Sequence, residues 1–151
     1  MNNEHYVRPD DPQQLDYIQS NSIIIGNSPI HGRGVFATKN IFKNQIIERC
    51  PLIPMEYRSR YQLDPQIFNY MYAQPPCSCK DCQTHGFLFY MVLGYGMLYN
   101  HQDKPNAMWK FNYKQLLTDV ICVEDIKKGE EIFVSYGGQY FNDKNKINLP
   151  K

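Results

Sequence analysis

The sequence has no apolar run long enough to span a bilayer, and its first stretch, MNNEHYVRPDDPQQ, holds no apolar signal segment. A helical membrane protein is thereby excluded, and the expectation is a soluble, intracellular protein that is not secreted. Excess charge is missing too: 16 Lys and Arg face 15 Asp and Glu, for a net charge of +1. Nucleic-acid-binding domains carry a clustered basic excess, so no direct nucleic-acid partner is expected. The five cysteines, at 50, 77, 79, 82 and 122, are few and odd in number. That pattern argues against a disulfide framework and for reduced thiols. Internal repeats are absent, and helical periodicity is scarce.

What is present is an ordinary globular composition. The chain has 151 residues, 42% hydrophobic and 21% charged, enough for one domain with a real core. Asp10-Asp11-Pro12 offers a helix start before Leu15, Tyr17 and Ile18, so residues 1–21 read as a short helix or ordered arm. Strands are expected over Ser22–Gly26, Val35–Thr38 and Gln45–Leu52, the last ended by Pro51 and Pro54. Glu56–Leu63 is the best helical candidate, whereas aromatic Ile67–Tyr72 reads as a strand. Phe87–Leu93, Ala107–Tyr113, Leu116–Val123 and Glu131–Tyr136 complete the strand set. Many short strands at close spacing predict a mostly β domain over 22–140, with a Cys-rich insertion at about 75–86 and a polar tail over 141–151.

Three segments concentrate unusual residues. His31–Ala37 (HGRGVFA) sets Arg33 between Gly32 and Gly34, where the backbone can approach a ligand without a Cβ in the way. Alone, such a G-x-G is a tight hairpin, and it lacks the phosphate-loop pattern. Leu93–Ala107 (LGYGMLYNHQDKPNA) carries a second glycine pair and then Asn100-His101, side chains rich in donors and acceptors. Alone, an adjacent polar pair caps backbone groups. Gly129–Gly137 (GEEIFVSYG) ends on Tyr136, which read alone is a strand-end tyrosine with its hydroxyl in water.

In order and content the three segments resemble the SET domain of protein-lysine methyltransferases, over roughly Ser22 to Tyr140. The look is that of small stand-alone SET proteins of bacteria and large DNA viruses, and the Asn-, Lys-, Ile- and Tyr-rich composition suits an AT-rich genome. The resemblance implies several short sheets, few short helices, and a C-terminal segment threaded through the chain in a pseudoknot-like way. It implies S-adenosylmethionine as cofactor, held by Gly32, Arg33, Gly34, Asn100, His101 and Tyr136. Tyr136 is the expected catalytic residue, placed beside the methyl donor and the target nitrogen.

The physical need for such a residue is clear. Methyl transfer is an in-line displacement, so proximity and orientation supply most of the acceleration. The lysine must also be neutral, against an ordinary pKa of about 10.4. A tyrosine hydroxyl orients the nitrogen without adding charge. Aromatic walls suit the lysine, and the sequence has 12 Tyr to one Trp. Tyr95, Tyr99, Val134 and Tyr140 are the substrate-channel candidates, with Phe133 and Phe141 behind them. Val134 stands where the family often carries Phe or Tyr, a choice that influences how many methyls are added. Gln102 departs from the usual Ser after Asn-His, and the tail over 141–151 contains no cysteine. Glu130-Glu131 reads first as part of the turn and strand start; an acidic rim for a basic peptide, with Glu124 and Asp125 nearby in sequence, is the second reading.

Cys77-Ser78-Cys79-Lys80-Asp81-Cys82 and His85 form a C-x-C-x-x-C-x-x-H set, four soft ligands whose number suits tetrahedral zinc. The spacing is tighter than the usual pair-plus-pair arrangement, and free surface thiols are the alternative. Two rivals to the enzyme reading follow: a non-catalytic SET-fold binding module, and a small zinc-binding interaction protein organised on Cys77–His85. On the enzyme reading the partner is a protein carrying a target lysine, with a histone tail the commonest in the family.

Overall fold

The structure is a computed structural model and describes residues 21–74 and 77–137. The N-terminal arm and the C-terminal tail expected from the sequence lie outside those residues. The first hairpin joins β1 (Ile23–Asn27) to β2 (Arg33–Ala37), antiparallel from Ile23↔Ala37 to Asn27↔Arg33. Its turn is closed by Ser28, whose N–H donates to the Gly32 carbonyl at 2.8 Å. The Ser28 hydroxyl accepts from the N–H groups of Ile30 and His31, a side-chain turn of the kind serine favours.

The long strand β3 (Ile46–Glu56) runs through Pro51 and Pro54 instead of ending at them. Its two neighbours are staggered. β8 (Leu117–Cys122) covers the first half as far as Pro51, and β5 (Leu88–Val92) covers the second half from Leu52 on. The Pro51 carbonyl still accepts from the Leu93 N–H just past the end of β5, and Pro54 falls beyond the reach of β8. Each proline therefore costs the ladder little, because its missing N–H faces a side where pairing stops. Arg49 and Asp119 are directly opposed across β3 and β8 and form a bidentate pair at 2.7 and 2.9 Å, which ties the register.

After β3 the chain makes a 3-10 turn over Tyr57–Gln62, where an α-helix was expected. Pro65–Asn69 is a short helix, α1, against the strand expected over Ile67–Tyr72. The local chemistry explains it: the Asp64 carboxylate accepts from the Gln66 N–H at 2.8 Å, and Pro65 fits the first helical turn. Only Tyr72–Ala73 is extended, as β4, paired with β5. A second short helix, α2 (Lys80–His85), lies within the stretch expected as an inserted loop.

Two sheets result. One is β4-β5-β3-β8-β7, with β7 (Ala107–Asn112) at its far edge. The other is β1-β2-β9-β6, where β6 is Asn100–His101 and β9 is Glu131–Val134. β9 comes from the C-terminal end of the described chain but inserts between β2, antiparallel, and β6, parallel. The Asn106 side chain clasps it as well, donating to the Glu131 carbonyl and accepting from the Phe133 N–H. This is the threaded segment that the resemblance implies, in a mostly β fold. Val35, Ile47, Cys50, Val92, Tyr99, Val120, Cys122, Ile132 and Val134 lie in one continuous core. Among the described residues no helix is long and apolar enough to cross a membrane.

Candidate active site

The three unusual segments meet in one place, and Asn100 is the joint. It is almost fully buried on β6, and its side-chain amide donates to the carbonyls of His31 and Arg33, each at 3.0 Å. The same nitrogen donates at 2.8 Å to Glu131 Oε1 at the start of β9. Glu131 is itself buried, and its Oε2 accepts from the Ser28 hydroxyl at 2.8 Å. Glu130-Glu131 stand where the sequence reading puts them, at the turn and strand start. Glu130 caps its own turn by accepting from the Lys127 N–H, and Glu131 opens β9 as an internal acceptor, so of the two only Glu130 is exposed enough to serve as an acidic rim.

This network also explains the glycine pair. A Cβ on Gly34 would collide with the Glu131 carboxylate and lie 3.1 Å from the Asn100 amide. Gly34 is required by protein packing against it. Gly32, at φ 51°, takes the left-handed turn that closes the hairpin. Arg33 is exposed at the start of β2.

His101 and Tyr136 form the second joint. The Tyr136 backbone N–H donates to His101 Nδ1 at 3.0 Å, so that nitrogen is the acceptor and the ring proton sits on Nε2. Nε2 lies 3.0 Å from the carboxylate of exposed Asp103. The Tyr136 hydroxyl donates at 2.6 Å to the backbone carbonyl of Tyr99. Tyr136 is therefore held at both ends, by its amide and by its hydroxyl.

Four rings extend from this point. Tyr72 meets Tyr136 edge-on at 6.2 Å between centroids and Trp109 edge-on at 5.1 Å. Trp109 in turn contacts Tyr99 and Phe111 at 5.8 Å each. The Trp109 indole nitrogen is buried and meets no acceptor among the described residues, an uncommon state for a buried donor.

The sequence-based channel candidates are distributed differently. Tyr99 and Val134 are fully buried core residues. Tyr99 is drawn inward because its hydroxyl donates to Glu48 Oε1 at 3.0 Å, and burial, then the Glu48 charge, hold its phenol well above the ordinary range. Tyr95 is half-buried, and its N–H donates to Glu48 Oε2 at 2.9 Å. Gly94, at φ 67°, lets the chain pass this carboxylate, where a Cβ would be 2.5 Å from Glu48 Oε2. Tyr140 lies outside the described residues. Sequence reasoning missed Tyr72 and Trp109. The only available signals were an aromatic at every second position of Tyr70–Tyr72 and a single tryptophan on an alternating strand.

Apart from this site, the Sγ atoms of Cys77, Cys79 and Cys82 lie within 4.8 Å of one another. Burial and its thiol neighbours raise Cys82 to about 11, partly offset by the Gln74 amide. The His85 side chain is not among those described.

Residues 32–137 match the SET domain family, and the chain belongs to that family. A curated relative from Schizosaccharomyces pombe, named as a histone-lysine N-methyltransferase specific for H3 lysine 37, is 27% identical over 118 residues, 74% of this chain and 71% of its own. The crystal structure of a proposed histone methyltransferase of Plasmodium falciparum superposes with a TM-score of 0.60 at 32% identity, covering 82% of this chain and 99% of that one. The Neurospora SET domain protein DIM-5, a histone lysine methyltransferase, superposes with a TM-score of 0.59 at 23% identity, over 85% of this chain and 54% of that one; this last likeness speaks for the fold. The protein is accordingly a SET-domain protein-lysine N-methyltransferase.

Proposed function

We propose that the protein moves a methyl group from S-adenosylmethionine to a lysine side chain of a protein substrate, and that Tyr136 is its catalytic residue. A histone is the first candidate substrate, because the fission-yeast relative is named for H3 lysine 37. The observation that carries the reading is the double fixation of Tyr136, by its amide on His101 and by its hydroxyl on the Tyr99 carbonyl. A hydroxyl whose proton is committed to a carbonyl turns its oxygen lone pairs toward incoming donors. Such an oxygen accepts an N–H of the lysine amine and aims the nitrogen lone pair along the line of attack.

The residues around it fit the cofactor family members use. β6 is the outer strand of its sheet, so Asn100 and His101 present one side of their backbone to a ligand. The exposed Arg33 guanidinium can pair the cofactor carboxylate. The Gly32–Gly34 loop is stitched in place by Asn100 rather than by the ligand, so the binding surface is pre-formed. When bound, the cofactor supplies an electrophilic methyl on a sulfonium. The aromatic group of Tyr72, Trp109 and Tyr136 is the proposed lysine wall; it desolvates the amine and favours its neutral, nucleophilic form.

The test uses purified protein, labelled S-adenosylmethionine, and a panel of core histones and ribosomal proteins. Wild type labelling one protein on lysine, with the label lost in Tyr136→Phe, supports both the activity and the role of Tyr136. Equal labelling by Tyr136→Phe overturns its role. Wild type that neither labels the panel nor binds S-adenosylmethionine in calorimetry overturns the reading.

A further inference from the structure

The thiols of Cys77, Cys79 and Cys82 take no part in the site above. Their three sulfurs lie within 4.8 Å of one another, and two of the three residues are only half-buried. Core packing does not account for such a gathering. In a tetrahedral zinc-thiolate centre a Zn–S bond of about 2.3 Å puts the sulfurs roughly 3.8 Å apart. Closing from the present spacing needs about an ångström of side-chain rotation.

The sulfurs are already oriented by N–H donors. Cys79 caps α2, its Sγ accepting from the Cys82 N–H at 3.5 Å. Cys82 Sγ accepts from Gln74 Nε2 at 3.3 Å. Outer hydrogen bonds of this type fix the direction of metal ligands. Gln74 is buried, and it leads from the thiols toward the site. Its Oε1 accepts from the Leu88 N–H at 2.9 Å, and its own N–H donates to the Leu88 carbonyl at 2.9 Å. It thereby extends the two-residue edge strand β4, whose ladder has only Tyr72↔Tyr90 and Ala73↔Phe89. So short an edge strand is weak without further anchoring. Tyr72, two residues before Gln74, is the ring that meets Tyr136.

We propose that Cys77, Cys79 and Cys82 bind one zinc ion, with His85 in the fourth position, and that the ion clamps β4 so that Tyr72 is held against Tyr136. Zinc binds three thiolates, and the three displaced protons go to solvent; nothing is oxidised or reduced. The ion couples its binding energy to the folding of this corner. His85 is chosen on spacing alone, three residues beyond Cys82. The site itself is independent of the methyltransferase reading, and only the significance of Tyr72 rests on it.

The experiment uses the full chain, purified under reducing conditions without chelator. Elemental analysis is expected to find about one zinc per chain in wild type and in Ser78→Ala, and none in Cys79→Ser. Cobalt(II) added to metal-free protein is expected to give a thiolate charge-transfer band and tetrahedral d–d bands. Gln74→Leu is expected to lower cobalt affinity about tenfold, as loss of an outer partner does. Hydrogen exchange with and without chelator then reads the clamp: faster exchange at Ala73, Gln74 and Leu88 on metal removal supports it. Wild type with no zinc and no cobalt spectrum overturns the site. Cobalt affinity unchanged in His85→Ala overturns His85 as fourth ligand, and unchanged exchange on metal removal overturns the clamp. If Cys79→Ser fails to fold, the wild-type cobalt titration still decides the site. None of these readouts depends on methyl transfer, so their failure is distinct from failure of the activity.

Discussion

Asn100 and Glu131, 31 residues apart in sequence, share a buried 2.8 Å hydrogen bond, and through it the first, second and third motif segments become one unit. Glu131→Ala removes the acceptor for both the Asn100 amide and the Ser28 hydroxyl. Hydrogen bonds to a charged group contribute about 1.5–3 kcal/mol each, so the expected loss is about 3 kcal/mol in urea unfolding. S-adenosylmethionine affinity is expected to fall with it, because Asn100, which holds the His31 and Arg33 carbonyls, and Ser28, which closes the turn, both lose their own partner. A variant within about 1 kcal/mol of wild type would show that the network is not what holds the loop.

Tyr72 is predicted to act on the lysine substrate and not on the cofactor. Tyr72→Ala is expected to raise KM for the protein substrate about tenfold, since it removes from the proposed lysine wall a ring that packs against Tyr136, Trp109 and Phe111, and an aromatic contact contributes up to about 1.5 kcal/mol. Steady-state kinetics with each substrate varied in turn checks this. An equal rise in KM for S-adenosylmethionine would count against it.

Thr118 is fully buried on β8, and its hydroxyl has no partner among the described residues. Thr118→Val keeps the shape and removes the desolvated hydroxyl. Stability is expected to rise by about 1 kcal/mol, seen as roughly 3 °C in the melting temperature. A drop would mean that the hydroxyl is satisfied after all.

Alkaline pH is expected to unfold the protein through its buried phenols. Tyr99 is held above the ordinary range first by burial and then by Glu48, and Tyr90 and Tyr113 by burial. The unfolded chain releases these protons from about pH 10, while the folded chain keeps them. Stability is therefore complete below about pH 10 and falls as pH rises above it, with a limiting slope of about 1.4 kcal/mol per pH unit per group. Urea midpoints across this range, compared with Tyr99→Phe, provide the check: the variant is expected to show the shallower decline.

Strands were the most legible part of the sequence. Alternating β-branched and aromatic residues located β1, β2, β5, β7, β8 and β9 to within a residue or two. Pro51 and Pro54 misled because their cost depends on which neighbours flank β3 at each point, and that is a property of the sheet. Ile67–Tyr72 reads as a strand on its aromatic content, yet the Asp64-Pro65 cap starts a helix there. The meeting of the three motif segments came from family resemblance; no periodicity implies it. Nothing in the sequence singles out Glu48, a charged residue within a strand, yet it is buried and accepts from both the Tyr95 N–H and the Tyr99 hydroxyl. Tyr72 and Trp109 sit on β4 and β7, the two ends of the five-stranded order, so no local pattern in the sequence implies that their rings meet.

The insertion of β9 between β2 and β6 has a kinetic meaning. Ser28 and Glu131 are 103 residues apart in the chain, yet they bond directly, and loop closure on that scale is slow. The β1–β2 hairpin and the five-stranded sheet can form before β9 arrives, whereas β6, whose partner strand is β9, cannot, so a compact intermediate lacking the last threading step is predicted. That intermediate has neither the Glu131 anchor nor Tyr136 on His101, and it is silent. Activity per milligram therefore reports how many chains have completed the thread, and it recovers later in refolding than the bulk of the secondary structure.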